Sequence, residues 1–433
     1  MLTRRDTLRA VAAAGVVAPV LTACDGGGAA PTGPGGGSTA DLRLVTADVP
    51  RSAGSEAAVP VVVTSMAAFT DDLWPHLAGA TQNLALSPYS IDVALAMTAN
   101  GATGATKAQM MEVLHLDSLA TFNTGIAALT RQVDSLAGPV QNSTGKPGQV
   151  ALAAANALFG DRATTWAKTF LTVLAKQYGA GMRDVDFRTA PERARSAVNA
   201  WTSQQTHDRI PQILPPGSVD QLTRLVLVDA LYFKAPWDLA FDDRSTSRRQ
   251  FHVTPERTVG VDMMTSTDNA SYLVGTHYRG ARLDYAGRRL AMTVALAEGD
   301  ERAALHELLG DLGRTPDGTP VLLSMPRWTF RAASPLTPPL QQLGMTLAFD
   351  PTRADFSAMT ADERLYVADA LHQTFVAVDE QGTEAAAATA VVMGATSGQA
   401  NPETLVLERP FLFAIHDTAH GTPLFVGRVA DPS

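Results

Sequence analysis

LTRLVLVDALYFKAPW, residues 222–237, limits the fold more than any other stretch. Between Leu225 and Phe233 the only charged residue is Asp229. So unbroken an apolar run reads as a β-strand buried on both faces. Before it the spacing is helical. Residues 60–80 carry Val62, Met66, Phe69 and Leu73 on one stripe, and 88–100 carry Ile91, Leu95 and Met97. Residues 105–114 open with a Thr106 cap, and 165–179 and 191–206 also read as helices. VALAAANALFG at 150–160 is apolar throughout and fits a buried strand or a buried helix. Beyond 237, strand-like segments follow at 249–264, 270–277, 281–286, 290–297, 319–332, 365–379 and 404–429, with helices at 301–312 and 336–345. Helices mixed with mostly antiparallel strands define an α+β fold with large sheets.

Length and composition place this fold in one large domain. The chain has 433 residues, 45% of them hydrophobic, enough for a sizeable core. From about residue 56 to Ser433 it has no repeat and no second linker, and PVQNSTGKPGQ at 139–149 reads as a long surface loop. A net charge of −9, with no lysine-rich run, argues against a nucleic-acid partner, and Arg248–Arg249 and Arg288–Arg289 read as solvated surface. Residues 1–23 have a basic start, a short apolar run and a small-residue end, the plan of a secretory signal too short to span a membrane. Arg4–Arg5 also resembles a twin-arginine signal, with Thr7 where Phe is usual. Cys24, the sole cysteine, follows Leu21-Thr22-Ala23 and resembles a lipobox cysteine that is lipidated; the alternative is a stray buried thiol. One cysteine allows no intramolecular disulfide, so stability must come from the core. Residues 24–55, rich in Gly, Pro and Ser, read as a tether to the domain at 56–433. The expectation is an exported protein, lipid-anchored at the cell envelope or extracellular.

DEQGTEAAAATAVVMG, residues 379–394, fits no ordinary element. Four alanines favour helix, but Gly382 and Thr383 precede them and Val391–Val392 follow. There is no charge between Glu384 and Glu403 and no proline until Pro402. A strand made of this segment would have Thr383, Ala385, Ala387, Thr389 and Val391 on one face, all small or modest, with Glu384 on the other face in water.

Together these pieces resemble the serpin family, from about residue 60 to the C-terminus. The resemblance rests on NLALSPYSIDVALAMTANGATGATKAQMMEVL (83–114), VNAWTSQQTHDRI (198–210), LVLVDALYFKAPWDLAFD (225–242), MPRWTF (325–330), LQQLGMTLAFD (340–350), ADFSAM (354–359) and ERPFLFAIHDTAHGTPLFVGRVADP (408–432). It implies large multi-stranded sheets, eight to nine helices and an exposed reactive-centre loop. Glu380, Gly382, Thr383, Ala385, Ala386, Ala387 and Ala388 match the hinge of that loop, which can enter the main sheet as an extra strand. Small residues there are the inhibitory pattern, which implies a suicide-substrate inhibitor that forms a covalent acyl-enzyme with a serine peptidase. Family spacing puts the scissile bond at Thr396–Ser397, with Ala395 and Ser397 as runners-up for the specificity position. A small residue there points to an elastase-like or subtilisin-like target. Ser87, Ser90 and His372 match a polar cluster that controls sheet opening, and Trp237 marks where the loop first enters. Asp229 stands where the family has Asn; it either pairs with His372 and makes opening pH-sensitive or is an isosteric replacement. Glu380 and Arg327 match a pair worth roughly 0–1 kcal/mol if it lies on the surface.

Other readings are weaker. A non-inhibitory serpin acting as a binding or carrier module is the alternative. No G-x-S-x-G elbow supports an enzyme. His306-Glu307 lacks the second histidine of a metalloprotease motif, and His416 and His420 read as surface residues flanking a hairpin turn. GATGATK (101–107) has the wrong spacing for a phosphate loop and marks a helix exit and re-entry. No cofactor or metal is expected, and a monomer is.

Overall fold

The computed structural model describes residues 39–77, 79, 81–384 and 402–433. They hold eight α-helices and three sheets. Cys24 and the residues of the tether before Thr39 lie outside the described residues.

The 222–237 run becomes the strand Leu225–Pro236 at the heart of a nine-stranded sheet. Its side chains alternate between two cores. Leu225, Leu227, Leu231 and Phe233 join the large core, and Val226, Val228 and Ala230 join a smaller one beneath the helix Pro191–Gln205. Both faces are covered, hence the unbroken apolar run. The Asn-x-Trp motif holds that helix in place. Asn199 Nδ2 donates to Leu214 O, its Oδ1 accepts from the amides of Ile213 and Leu214, and Trp201 meets Phe159 edge-on at 5.3 Å. On the other face of the sheet lies the helix Pro88–Ala99, buried on every side and capped by Ser87, whose Oγ accepts from the Ser90 amide at 3.2 Å. A six-stranded sheet (84–86, 271–274, 278–284, 290–297, 411–417, 423–429) and a four-stranded one (247–254, 257–266, 321–326, 403–406) complete the α+β body.

Some local expectations hold and others differ from the structure. Residues 150–160 are strand, in Pro147–Ala154 and Ala157–Asp161. Residues 139–149 are not a loop but mostly a hairpin, Gly138–Gln141 against Pro147–Ala154, whose turn closes on Asn142 Oδ1 accepting from the Thr144 and Lys146 amides. The helix Leu119–Asp134 is not among the helices expected from the sequence, although its buried Leu119, Phe122, Ile126, Leu129 and Val133 have helical spacing behind a Ser118 cap. GATGATK is the helix exit and re-entry, between Ala99 and Gly104. Residues 39–55, expected to be tether, pack on the domain. Arg43–Val45 adds an edge strand to Met182–Val185, and Arg51 Nη1 reaches Asp134 at 2.7 Å. His416 is not at the surface. It is buried in the strand Phe411–Asp417 with Nε2 2.9 Å from Thr293 Oγ1, and burial pushes its pKa down to about 4, so it is neutral.

Candidate functional site

Leu225–Pro236 and Ala370–Asp379 run parallel, but they bond to each other only from Leu227↔Ala370 to Leu231↔Thr374. Above that they part, and the two-residue strand Gly382–Thr383 sits between them. Gly382 faces Pro236 and Asp379, and Thr383 faces Ala235 and Val378. The chain reverses through Glu380–Gln381, where Asp379 Oδ1 accepts from the Gln381 and Gly382 amides at 2.8 and 3.1 Å.

This seat uses the residues in detail. Gly382 has φ +152°, and a Cβ there would lie 2.2 Å from Ala235 O, so only glycine fits. Thr383 is 2% exposed, and its Oγ1 lies 2.6 Å from Tyr285 OH. Burial raises the Tyr285 pKa and keeps the phenol protonated. Tyr285 stacks on Trp237 at 4.6 Å, and Trp237 in turn donates from Nε1 to Asp379 O and from its amide to Gln381 O. Phe241 donates its amide to Glu380 O. The hinge turn is thus held by the segment that follows the central strand. Gly382→Ala should unseat it, raising amide exchange at Trp237 and Phe241 about tenfold, because forcing a Cβ into such a backbone costs about 1–2 kcal/mol. Unchanged protection of those two amides would refute this.

Two carboxylates anchor the turn. Glu380 is 3% exposed; its Oε1 accepts from Arg327 Nε at 2.7 Å and from Thr246 Oγ1, so the pair is buried at its acidic end and is not a surface bridge. Removing Arg327 would leave a buried charge, a cost larger than the surface value. Glu384 does not stand in water. Its side chain is 10% exposed and Oε1 accepts from Arg209 Nε at 2.7 Å and from Tyr232 OH at 3.3 Å. Its backbone is left-handed, φ +50°. Burial and then the Glu384 charge push the Tyr232 pKa up to about 12. Ala385, Ala386, Ala387 and Ala388 and the Thr396–Ser397 bond lie outside the described residues.

Where the two long strands are still bonded, the structure brings Ser87, Ser90, Asp229 and His372 together. His372 Nε2 accepts from the Ser87 amide at 2.9 Å, so the ring proton is on Nδ1, which donates to Asp229 Oδ1 at 2.6 Å. Asp229 therefore pairs with His372, and burial raises its pKa against the opposing influence of the histidine. Ser90 Oγ has no hydrogen-bond partner among the described residues. Sequence reasoning missed Asp92. It is fully buried, neither oxygen has a partner among the described residues, and burial followed by Asp229 raises its pKa well above the usual range. A signal for it existed: Asp92 is the one charge in an otherwise apolar helix, PYSIDVALAMTA. Tyr285 and Arg209 left no such trace.

A sheet split above a buried polar cluster, with a hinge strand seated in the split, is the arrangement of one class of protein. Residues 64–432 match the family model "Serpin (serine protease inhibitor)", and the chain belongs to the serpin family. It is 35% identical to an uncharacterized serpin-like protein of Thermococcus kodakarensis over 86% of each chain. It is 33% identical to a leukocyte elastase inhibitor of Bos taurus, covering 81% of this chain and 93% of that protein. Among solved structures, native tengpin, a thermophilic serpin, superposes with a TM-score of 0.74 at 27% identity, covering 85% of this chain and 94% of tengpin.

Proposed function

We propose that this serpin is a suicide-substrate inhibitor of an elastase-like or subtilisin-like serine peptidase. The observation that carries the reading is the seated hinge strand above an unfilled stretch of sheet. Tyr232, Phe233 and Lys234 on one side and Phe375 and Val376 on the other have no strand partner across the split among the described residues, and Ala377 O accepts only the Glu384 amide there. Counting one residue down the sheet for each residue along the loop puts Ala385 between Phe233 and Val376. The same count puts Ala387 between Leu231 and Thr374, and Thr389 between Asp229 and His372. The small residues fit a gap that must close around them. To admit Thr389, the sheet must also break the His372–Asp229 hydrogen bond.

In this reading the peptidase serine Oγ attacks the Thr396 carbonyl. The Thr396–Ser397 bond breaks, Ser397 leaves as a new amino terminus with the transferred proton, and an ester remains. Insertion of the hinge then carries the acylated peptidase along the sheet before water hydrolyses the ester. The relative named as a leukocyte elastase inhibitor supports the target class. The signal-like residues 1–23 and Cys24 support an inhibitor held at the cell envelope on a lipid anchor.

Incubation with pancreatic elastase and with subtilisin, followed by denaturing electrophoresis and mass spectrometry, tests the reading. The expected result is an SDS-stable complex at the summed mass and a released peptide starting at Ser397. Loop cleavage without complex and without a gain in thermal stability would leave the chain a non-inhibitory binding module.

A further inference from the structure

The Arg183 side chain has no hydrogen-bond or ion-pair partner among the described residues. Its guanidinium lies over the Trp201 ring, 4.6 Å from the centroid. It is half-buried, and burial alone lowers its pKa, with no carboxylate acting against it. A half-buried guanidinium with no counter-charge favours an occupant that supplies one.

Arg183 lines a cavity of about 260 Å³. The cavity exists because two strands of the main sheet part: Ala157–Asp161 and Met182–Val185 pair from Leu158↔Met182 onward, and beyond that pair Asn156–Ala157 and Gly179–Gly181 form opposite walls. Val93 and Met97, Leu44 and Trp201 supply apolar surface, and Tyr89 and Gln205 supply polar side chains. Arg51 and Asp134 also line the cavity, but they neutralise each other, Arg51 Nη1 lying 2.7 Å from Asp134, and Arg51 Nη2 donates to Thr130 Oγ1 at 2.6 Å. The uncompensated positive charge is therefore that of Arg183.

We propose that this cavity is a binding site for a small aromatic carboxylate. The carboxylate meets Arg183, whose planar fork suits two parallel hydrogen bonds. The ring packs on Val93 and Met97. The volume excludes a peptide or polysaccharide and lies below the ~300–1,000 Å³ of larger ligand pockets.

The test uses the full chain with benzoate and 4-hydroxybenzoate as probes, followed by calorimetry and by tryptophan fluorescence. Saturable one-to-one binding is expected. Benzyl alcohol, which lacks the charge, and inorganic phosphate, which lacks the ring, should each bind at least about tenfold more weakly. Arg183→Gln should weaken benzoate by a similar factor, and Arg183→Lys should restore part of the loss. Arg249→Gln, on an exposed strand far along the sequence, should change nothing. No saturable binding of either carboxylate, equal binding by Arg183→Gln with its melting transition intact, or phosphate binding as tight as benzoate would each overturn the proposal.

Discussion

On the proposed inhibitory mechanism, Thr383→Arg is expected to turn the inhibitor into a substrate. Thr383 is 2% exposed, wedged between Ala235 and Val378, with its hydroxyl on Tyr285. Arginine there would force a long charged side chain into a buried position against the Tyr285 phenol, costing several kcal/mol. In that mechanism the outcome depends on a race between insertion of the loop and hydrolysis of the ester. At about 1.4 kcal/mol per factor of ten, such a cost shifts the race at least about 100-fold toward hydrolysis. The measurement is the number of inhibitor molecules consumed per peptidase inactivated, read beside the SDS-stable band. The variant should lose the band and still be cut at the same bond. Inhibition equal to wild type would rule out insertion as the mechanism.

Asp92→Leu is expected to stabilise the native protein, and the gain should grow with pH. The two side chains share their branching, so the change leaves no hole and removes a buried carboxyl group whose oxygens have no partner among the described residues, a gain that exceeds the cost of fitting the bulkier methyl groups. Burial and then Asp229 raise the native pKa of Asp92 above its unfolded value. The native state therefore keeps its proton where the unfolded chain has lost it. Wild-type stability falls by about 1.4 kcal/mol per pH unit from the unfolded pKa up to the native one. Leucine removes that slope. At pH 8 unfolding should slow roughly 30- to 150-fold, corresponding to about 2–3 kcal/mol, and the effect should shrink toward pH 4. Unfolding rates in denaturant across pH 4–8 decide it. A gain independent of pH would show that Asp92 does not ionise differently in the two states. Asp229→Asn, which removes the second influence on Asp92, should flatten the same slope in part.

Much of the fold and part of the site are legible in the order of residues alone. The both-face strand, the helices 88–99 and 191–205, the Asn-x-Trp motif and the small-residue hinge are local patterns, and each has a direct physical reading. The helix Leu119–Asp134 is equally legible by its spacing and cap. Other features depend on partners far away in sequence. The hairpin at 138–154 looks like a loop because its glycines, prolines and asparagine are turn chemistry, and only pairing with the central strand makes it sheet. Residues 39–55 look like tether until Arg51 meets Asp134 and Arg43–Val45 meets Met182–Val185. His416 looks exposed beside a turn, yet its strand lies in the middle of the six-stranded sheet.

The sequence by itself determined the composition of the hinge, the apolar period of the central strand and the presence of aspartate at 92 and 229. These belong to single residues and their near neighbours. Tertiary structure decided that Gly382–Thr383 is seated in the sheet, that Glu380 and Glu384 are buried against Arg327 and Arg209, and that the His372 ring proton faces Asp229. Those outcomes depend on burial and on contacts between residues up to 285 positions apart, as between Ser87 and His372. The electrostatic cost or gain of a charge is set by what surrounds it in space, and no local pattern carries that information.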